Sequence, residues 1–99
     1  MIKKHNPCTD FEEEVLSLIQ EECAEVIQAI SKTRRFGWDS YHPTDSEKID
    51  NRTHLEIELG DLLCLVEILV ENGVISSACV HKAIVDKRER LKQFSNLFQ

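Results

Sequence analysis

Two pairs of acidic residues lie three positions apart inside apolar segments of the chain. Glu22 and Glu25 belong to V-L-S-L-I-Q-E-E-C-A-E-V-I, and Glu58 and Asp61 belong to E-L-G-D-L-L-C-L-V. On a helix, side chains three positions apart are about 5–6 Å from each other. Each pair therefore presents two carboxylates that can reach one ion, on faces that periodicity predicts to point inward.

Four inward carboxylates repel one another, because unpaired charge is costly to bury. Three solutions are open: protonation, pairing with basic side chains, or divalent cations. Inward bases are scarce, since only Lys87, flanked by Arg88, lies near the apolar stripe of the third predicted helix. All-oxygen ligation favours Mg²⁺ or Mn²⁺. Iron is disfavoured, because di-iron bundles use E-x-x-H pairs and both positions here are acidic.

Start and stop signals predict three helices that carry these residues. Thr9 and Glu12 form a capping-box pattern that starts the first helix near residue 10, and it should end at 34–36, before Gly37. The second is predicted from about 51 to 71, where an Asn-Gly sequence stops it in a left-handed cap. The third begins at a capping serine, Ser76 or Ser77, and continues to about Phe94.

The second helix is apolar around most of its circumference. Its polar strip is narrow and consists of Glu56, Gly60, Glu67 and Glu71. Helices of one chain cannot cover so broad an apolar surface. We therefore expect an all-α antiparallel bundle completed by a second copy, as a dimer or a dimer of dimers.

A polar, turn-rich segment of fifteen residues, 37–51, joins the first two helices. Connections of this length are often functional. Phe36, Trp38 and Tyr41 lie in or next to it, and an aromatic ring there can stack on a nucleobase or pack under the loop. Packing is favoured for Phe36, and both alternatives stay open for Trp38.

Composition narrows the function classes. The chain of 99 residues predicts a single domain, 1–99, and its net charge of −6 argues against nucleic-acid binding. No segment reads as a signal peptide or reaches the ~20 apolar residues that span a bilayer, so we expect a cytoplasmic protein without membrane contact. The cysteines show no C-x-x-C pairing. We expect reduced thiols, at core or near-core positions for Cys23, Cys64 and Cys79.

The paired motifs resemble those of the MazG-like, all-α nucleoside triphosphate pyrophosphohydrolases. E-E-C-A-E followed by E-L-G-D is similar to the E-x-x-E…E-x-x-D signature of that family. The resemblance runs from about Phe11 to Phe94 and includes R-F-G after the first helix, the Asn51 that begins the second, and the basic K-R-E-R-L. One departure is that 32 residues separate Glu25 from Glu58, slightly more than is usual. The excess falls in the loop, so it bears on substrate identity more than on metal binding.

This resemblance implies that Glu22, Glu25, Glu58 and Asp61 hold Mg²⁺, with Mn²⁺ as a substitute. It implies hydrolysis of a nucleoside triphosphate to the monophosphate and pyrophosphate, for nucleotide-pool house-cleaning. Glu21 or a metal-holding carboxylate such as Glu22 is the expected proton acceptor, and the choice between them stays open. The expected substrate contacts are Lys32, Arg35, Trp38, Asn51, Lys87 and Arg88.

Two other function classes compete with this one. The chain can be a non-catalytic oligomerisation or adaptor module whose acidic pairs bind structural cations. It can also be a redox carboxylate bundle, which the lack of inward histidines disfavours. The sequence leaves open the preferred base and sugar, and whether water attacks the α or the β phosphorus.

Overall fold

Three helices make up the regular structure in the part of the chain that the structure describes. In the computed structural model, which describes residues 2–98, they are α1 (Asp10–Phe36), α2 (Asn51–Glu71) and α3 (Ser77–Phe94). No strand occurs within these residues. The predicted all-α fold class is therefore confirmed, and all three helices have the bounds that the sequence signals indicated.

The ends of α1 are set by the predicted local signals. Thr9 accepts a hydrogen bond from the backbone N–H of Glu12 at 3.1 Å, and the Glu12 carboxylate accepts one from the N–H of Thr9 at 2.9 Å. At the other end, Gly37 adopts φ 91° and donates its N–H to the Thr33 carbonyl at 2.8 Å. A positive φ favours glycine, so the helix ends where the first Gly occurs.

The ends of α2 and α3 follow the same logic. The Asp50 carboxylate accepts from the N–H of Thr53 at 2.8 Å, as an N-terminal cap does. Gly73, with φ 70°, follows the last turn of α2. Ser76 caps α3 by accepting from the N–H of Cys79 at 3.2 Å, which resolves the choice between the two serines.

The chain divides into two compact units, the first ending at Ile68 and the second beginning at Leu69. The first contains α1, the loop and most of α2, and all four paired carboxylates belong to it. The second contains the last residues of α2 and all of α3. The single domain 1–99 stays a prediction. Among the described residues, none of the helices combines the length and the apolar character needed to cross a bilayer.

Burial within one chain is sparse. In α1 only Val15, Ala29 and Thr33 are buried, whereas Phe11 and Leu18 of the predicted apolar face stay partly exposed. Large apolar side chains of α2 are open as well, namely Ile57, Leu59 and Leu63. Both helices thus carry more apolar surface than a single copy of the chain covers.

Two burial predictions are corrected by the structure. The apolar stripe of α3 contains no buried residue, with Ile84 55% and Phe94 81% exposed. The cysteines are free thiols as predicted, but Cys23, Cys64 and Cys79 are exposed rather than near-core. The physical reason is that periodicity identifies which face of a helix is apolar, but not what covers that face.

Candidate metal centre

Helices α1 and α2 run in opposite directions and bring the two acidic motifs together. Near the loop, the Asn51 side chain donates to the Gly37 carbonyl at 2.9 Å and to the Lys32 carbonyl at 3.5 Å. Farther along both helices, carboxylate oxygens of Glu22 and Glu58 lie within 4.8 Å of each other. Residues 36 positions apart therefore meet because the chain reverses in the loop.

Three carboxylates form the cluster. One oxygen from each of Glu22, Glu58 and Asp61 lies within 4.8 Å of the other two. Glu25 lies outside this group, but its carboxyl interacts with both Glu22 and Glu58. The two motifs thus lie together in the structure, with Glu25 at the margin of the cluster.

Burial within each pair is uneven. Glu22 and Glu58 are half-buried, whereas Glu25 and Asp61 are exposed. The expectation that both members of each pair point inward is therefore wrong for the second member. Three residues turn the helix by about 300°, so the second side chain lies about 60° away from the first, at the edge of the buried face. The two buried oxygens, Oε2 of Glu22 and Oε2 of Glu58, have no hydrogen-bond partner among the described residues.

The electrostatics of the cluster are unfavourable for ionised carboxyls. The Glu25 carboxyl, which hydrogen-bonds with Glu58, raises the pKa of Glu58 to about 7, and burial and the surrounding negative charges act in the same direction. Burial raises the pKa of Glu22, followed by the charges of Glu25 and Asp61. Each carboxylate thus makes it harder to ionise its neighbour.

A divalent cation fits this arrangement. Mg–O distances of about 2.1 Å place two oxygens of one ion about 3–4 Å apart, so the three carboxylates need only a slight approach. Buried oxygens without a partner normally have an unseen ion or water. Within residues 2–98 no ion pair joins these carboxylates to a basic side chain. Of the three ways to accommodate these carboxylates, pairing with a basic side chain is therefore not used, and protonation and cation binding remain.

Glu21 occupies a different position. It is exposed on α1 and is not a member of the carboxylate group. Its neighbour Glu22 is the residue that reaches the cluster. The doubled glutamate thus provides one half-buried and one solvent-facing carboxylate.

The candidate substrate contacts in the first unit have varied surroundings. Lys32 lines a cavity of about 350 Å³. Arg35 lies over the ring of Phe36 at 5.0 Å. The Arg52 guanidinium, which also pairs with Asp39 at 3.4 Å, lies over the ring of Trp38 at 5.0 Å.

Asn51 has a mainly architectural environment. It is 7% exposed, its amide nitrogen donates to two carbonyls of the preceding segment, and its N–H donates to the Ser40 carbonyl at 2.9 Å. It also borders the same cavity as Lys32. The remaining candidates, Lys87 and Arg88, belong to the second unit, where they line an apolar groove on α3.

Sequence reasoning missed this cavity in the first unit. Its walls include Phe36, Tyr41, His42 and His54. One signal pointed to it: His54 precedes Glu58 by four positions, so both share one face of α2.

The structure is an all-α hairpin that gathers acidic side chains from an E-x-x-E and an E-x-x-D motif. Comparison with family models identifies the family of this hairpin: the MazG nucleotide pyrophosphohydrolase domain matches residues 11–93. The chain belongs to this family. No curated protein and no solved structure matches the chain significantly.

Proposed function

We propose that the protein is a Mg²⁺-dependent hydrolase that converts a (d)NTP to the (d)NMP and pyrophosphate. The observation that carries this proposal is the carboxylate cluster of Glu22, Glu58 and Asp61, with two buried oxygens lacking a partner. It occurs in a chain of the nucleotide pyrophosphohydrolase family. House-cleaning of the nucleotide pool in the cytoplasm is the biological role we infer.

In this proposal, Glu22, Glu25, Glu58 and Asp61 hold Mg²⁺, and Mn²⁺ can replace it because both prefer oxygen ligands. When bound, the cation supplies charge neutralisation for the polyphosphate and lowers the pKa of a water molecule. Without it, a substrate with about four negative charges would be repelled by these residues.

The proton of the attacking water goes to a carboxylate of α1. Glu22 is one acceptor, because its half-buried carboxylate belongs to the cluster where the attacking water would be held. Glu21 is the other, since its exposed carboxylate can pass a proton to solvent. Glu21→Gln distinguishes them: if Glu21 is the acceptor, its loss lowers kcat while Mg²⁺ affinity is retained, whereas an unchanged kcat assigns the proton to Glu22.

Cationic and polar side chains complete the proposed substrate site. Lys32 and Arg35 follow the acidic motif on α1 and neutralise phosphate oxygens, and Lys87 and Arg88 are proposed for the same role. Trp38 and Asn51 are the candidate contacts at the loop.

We further propose that the active form is a homodimer or homotetramer. The apolar side chains left open on α1 and α2 favour this, because about 25 cal/mol is lost for each Å² of apolar surface left in water. Light scattering at micromolar concentration tests it. A fully active monomer of 11.4 kDa would refute the proposed assembly.

Pyrophosphate release is the test of the proposed activity. The protein is incubated with each ribo- and deoxyribonucleoside triphosphate, with Mg²⁺ and with EDTA, and the monophosphate and pyrophosphate are quantified. We expect equimolar products from at least one nucleotide, only with Mg²⁺. Cation binding without turnover of any nucleotide would instead support the non-catalytic oligomerisation or adaptor module.

A further inference from the structure

An open groove of about 520 Å³ lies along one side of α3, in the second compact unit. Its lining residues on α3 recur every three or four positions and so share one face of the helix. They are Val80, Ala83, Ile84, Lys87, Arg88 and Leu91, and Phe98 adds a wall beyond the end of α3. Ile84 is 55% exposed and Phe98 50%, so one copy of the chain leaves this apolar surface in water.

The groove is basic in an acidic protein. Helix α3 contains five basic and two acidic residues, whereas the whole chain has a net charge of −6. Lys87 and Arg88 place charge at the groove itself, and within residues 2–98 no acidic residue lines it. The Arg88 guanidinium lies 6.0 Å from the centroid of the Phe98 ring, so basic and apolar groups are adjacent. An occupant that complements the groove therefore has apolar side chains interleaved with carboxylates.

The first half of α1 has this composition. Residues 10–25 contain seven acidic residues and no basic one. Phe11, Glu14 and Leu18 follow one another at intervals of three and four, so they lie along one side of the helix, with Asp10 beside Glu14. Phe11 is 44% and Leu18 40% exposed, and the two carboxylates are exposed as well. We call these four residues the acidic strip of α1.

The groove and the acidic strip have matching spacings. In the groove, Ile84 and Leu91 are seven positions apart. Lys87 and Arg88 lie three and four positions after the first of these. The strip repeats the pattern, because its two apolar residues are also seven positions apart and Glu14 lies three positions after the first. Seven residues span about 10 Å in either helix, so apolar contacts at both ends place the carboxylate opposite the basic pair.

We propose that the groove on α3 binds the acidic strip on α1 of a second copy of the chain, so that Glu14 pairs with Lys87 and Arg88. The inference rests on the proposed assembly, for which it names the two surfaces, and it is independent of the proposed activity. In a symmetric dimer each copy contributes one groove and one strip, so the contact occurs twice. Lysine and arginine each have several N–H donors, so the pairing leaves donors for the phosphate contacts proposed above.

The test reverses the charge of each surface in turn and measures the dissociation constant of the assembly by sedimentation equilibrium. The proteins are the wild type, a groove variant (Lys87→Glu with Arg88→Glu), a strip variant (Asp10→Lys with Glu14→Lys) and a control variant (Lys82→Glu with Lys92→Glu). The control makes the same change in charge on α3 but outside the groove. Circular dichroism checks that each variant is helical.

Wild type should associate at micromolar concentration, and the control should associate like wild type. The groove variant and the strip variant should each associate at least about tenfold more weakly, because like charges then face each other in both contacts. If the strip variant does not fold, Glu14→Lys alone repeats the measurement without altering the first residue of α1.

Mixing the groove and strip variants gives the sharpest result. In a heterodimer of the two, each contact again joins an acidic surface to a basic one, whereas each homodimer has like charges in both contacts. Native mass spectrometry should therefore show the heterodimer in the mixture at concentrations where each variant alone is monomeric. Absence of the heterodimer would overturn the proposal.

The other outcomes separate this inference from the proposals on which it rests. An oligomeric wild type that neither variant weakens, or that the control weakens equally, overturns the interface and leaves the proposed assembly standing. A monomeric wild type overturns both, and lower thermal stability of its groove variant would show that the chain's own residues fill the groove. Pyrophosphate release tests the hydrolase separately, so absence of turnover with restored association in the mixture overturns the activity alone.

Discussion

Acidic residues occupy two opposite environments within the same helical hairpin. In the loop, the Asp45 carboxylate accepts from the N–H groups of Glu47 and Ile49 at 2.9 and 3.0 Å, and these bonds lower its pKa. Between the helices, Glu22 and Glu58 each have a buried oxygen that has no partner in the described part of the chain, and the pKa of both is raised. The ionised form of a carboxyl group is thus stabilised by hydrogen bonds in the loop and destabilised by burial and neighbouring negative charge between the helices.

The contrast shows which region satisfies its carboxylates with hydrogen bonds from the chain and which does not. The loop carboxylates have donors from the chain, so their charge contributes to folding whether or not a ligand is present. Between α1 and α2, Oε2 of Glu22 and Oε2 of Glu58 have no such donor within residues 2–98, so the cluster needs a proton or a cation. A site that folding leaves unsatisfied is where function is expected.

The largest effect is expected from Asp61→Asn. Loss of a metal-holding oxygen should reduce pyrophosphate release by at least about 100-fold, because even indirect partners of a metal are worth about 10–100-fold. Removing one negative charge from a repelling cluster should leave the metal-free fold as stable or more stable. Enzyme assays and denaturant titration measure the two effects.

Glu56→Gln is the matched control, because Glu56 is exposed on the same helix and is not a member of the cluster. It should retain normal turnover. Near-normal turnover of Asp61→Asn would show that the assignment on α2 is wrong.

The next largest effect is expected from Asn51→Ala. This change removes the buried amide that joins the end of α1 to the start of α2, so two carbonyls lose a donor. The free energy of unfolding should fall by about 1–3 kcal/mol. Asn96→Ala, in the exposed C-terminal segment, should change it by no more than about 0.5 kcal/mol. Equal effects in urea titrations would refute the architectural role of Asn51.

A smaller effect is expected from pH, with opposite signs in the two regions. The pKa of Glu58 is raised from 4.5 to about 7, so between these values the native state binds more protons than the unfolded state. The stability of the metal-free protein should therefore fall as pH rises from 5 to 8. The pKa of Asp45 is lowered from 3.8, so its contribution is present above that pH and is lost as pH falls through the lowered value.

Two variants show which carboxyl group causes each part of the dependence of stability on pH. Glu58→Gln should flatten the limb between pH 5 and 8, and Asp45→Asn should flatten the acidic limb. Water screens both groups, which keeps the changes below those of a deeply buried pair. If the metal-free wild type gained stability between pH 6 and 8, the account of the cluster would be contradicted.

The smallest effect is expected from Arg52→Ala. Its ion pair with Asp39 and its position over Trp38 are solvent-exposed, so their loss should cost about 0.5–1 kcal/mol. The single tryptophan reports the change directly, because its emission should shift when the guanidinium is removed. Unchanged emission and stability would show that Arg52 does not hold the loop.

Local signals in the sequence predicted the helices well. The capping box at Thr9, the glycine at 37 and the serine at 76 each fix a helix end within a few residues, and all three act as expected in the structure. The placement of each acidic pair along one side of its helix was also predictable, because i, i+3 spacing and an apolar face are properties of one helix at a time.

The cavity, and the extent to which the apolar helix faces are buried, were not predictable from these local signals. The cavity depends on turns such as the one that His42 and Thr44 stabilise, which bring Lys32 within reach of His54, 22 positions along the chain. Helical periodicity contains no information on such loop geometry. It likewise predicted apolar faces correctly on α3 but could not predict that one chain leaves them uncovered.

The central claim is that the carboxylates between α1 and α2 form a cation site, and thermal unfolding at pH 8 with and without Mg²⁺ tests it most directly. Binding to the native state alone at 10–100 times the dissociation constant should stabilise wild type by about 1.4–2.7 kcal/mol. Glu56→Gln should show the same stabilisation, and Glu58→Gln should show almost none. No Mg²⁺-dependent shift in wild type, or an equal shift in Glu58→Gln, would contradict the account.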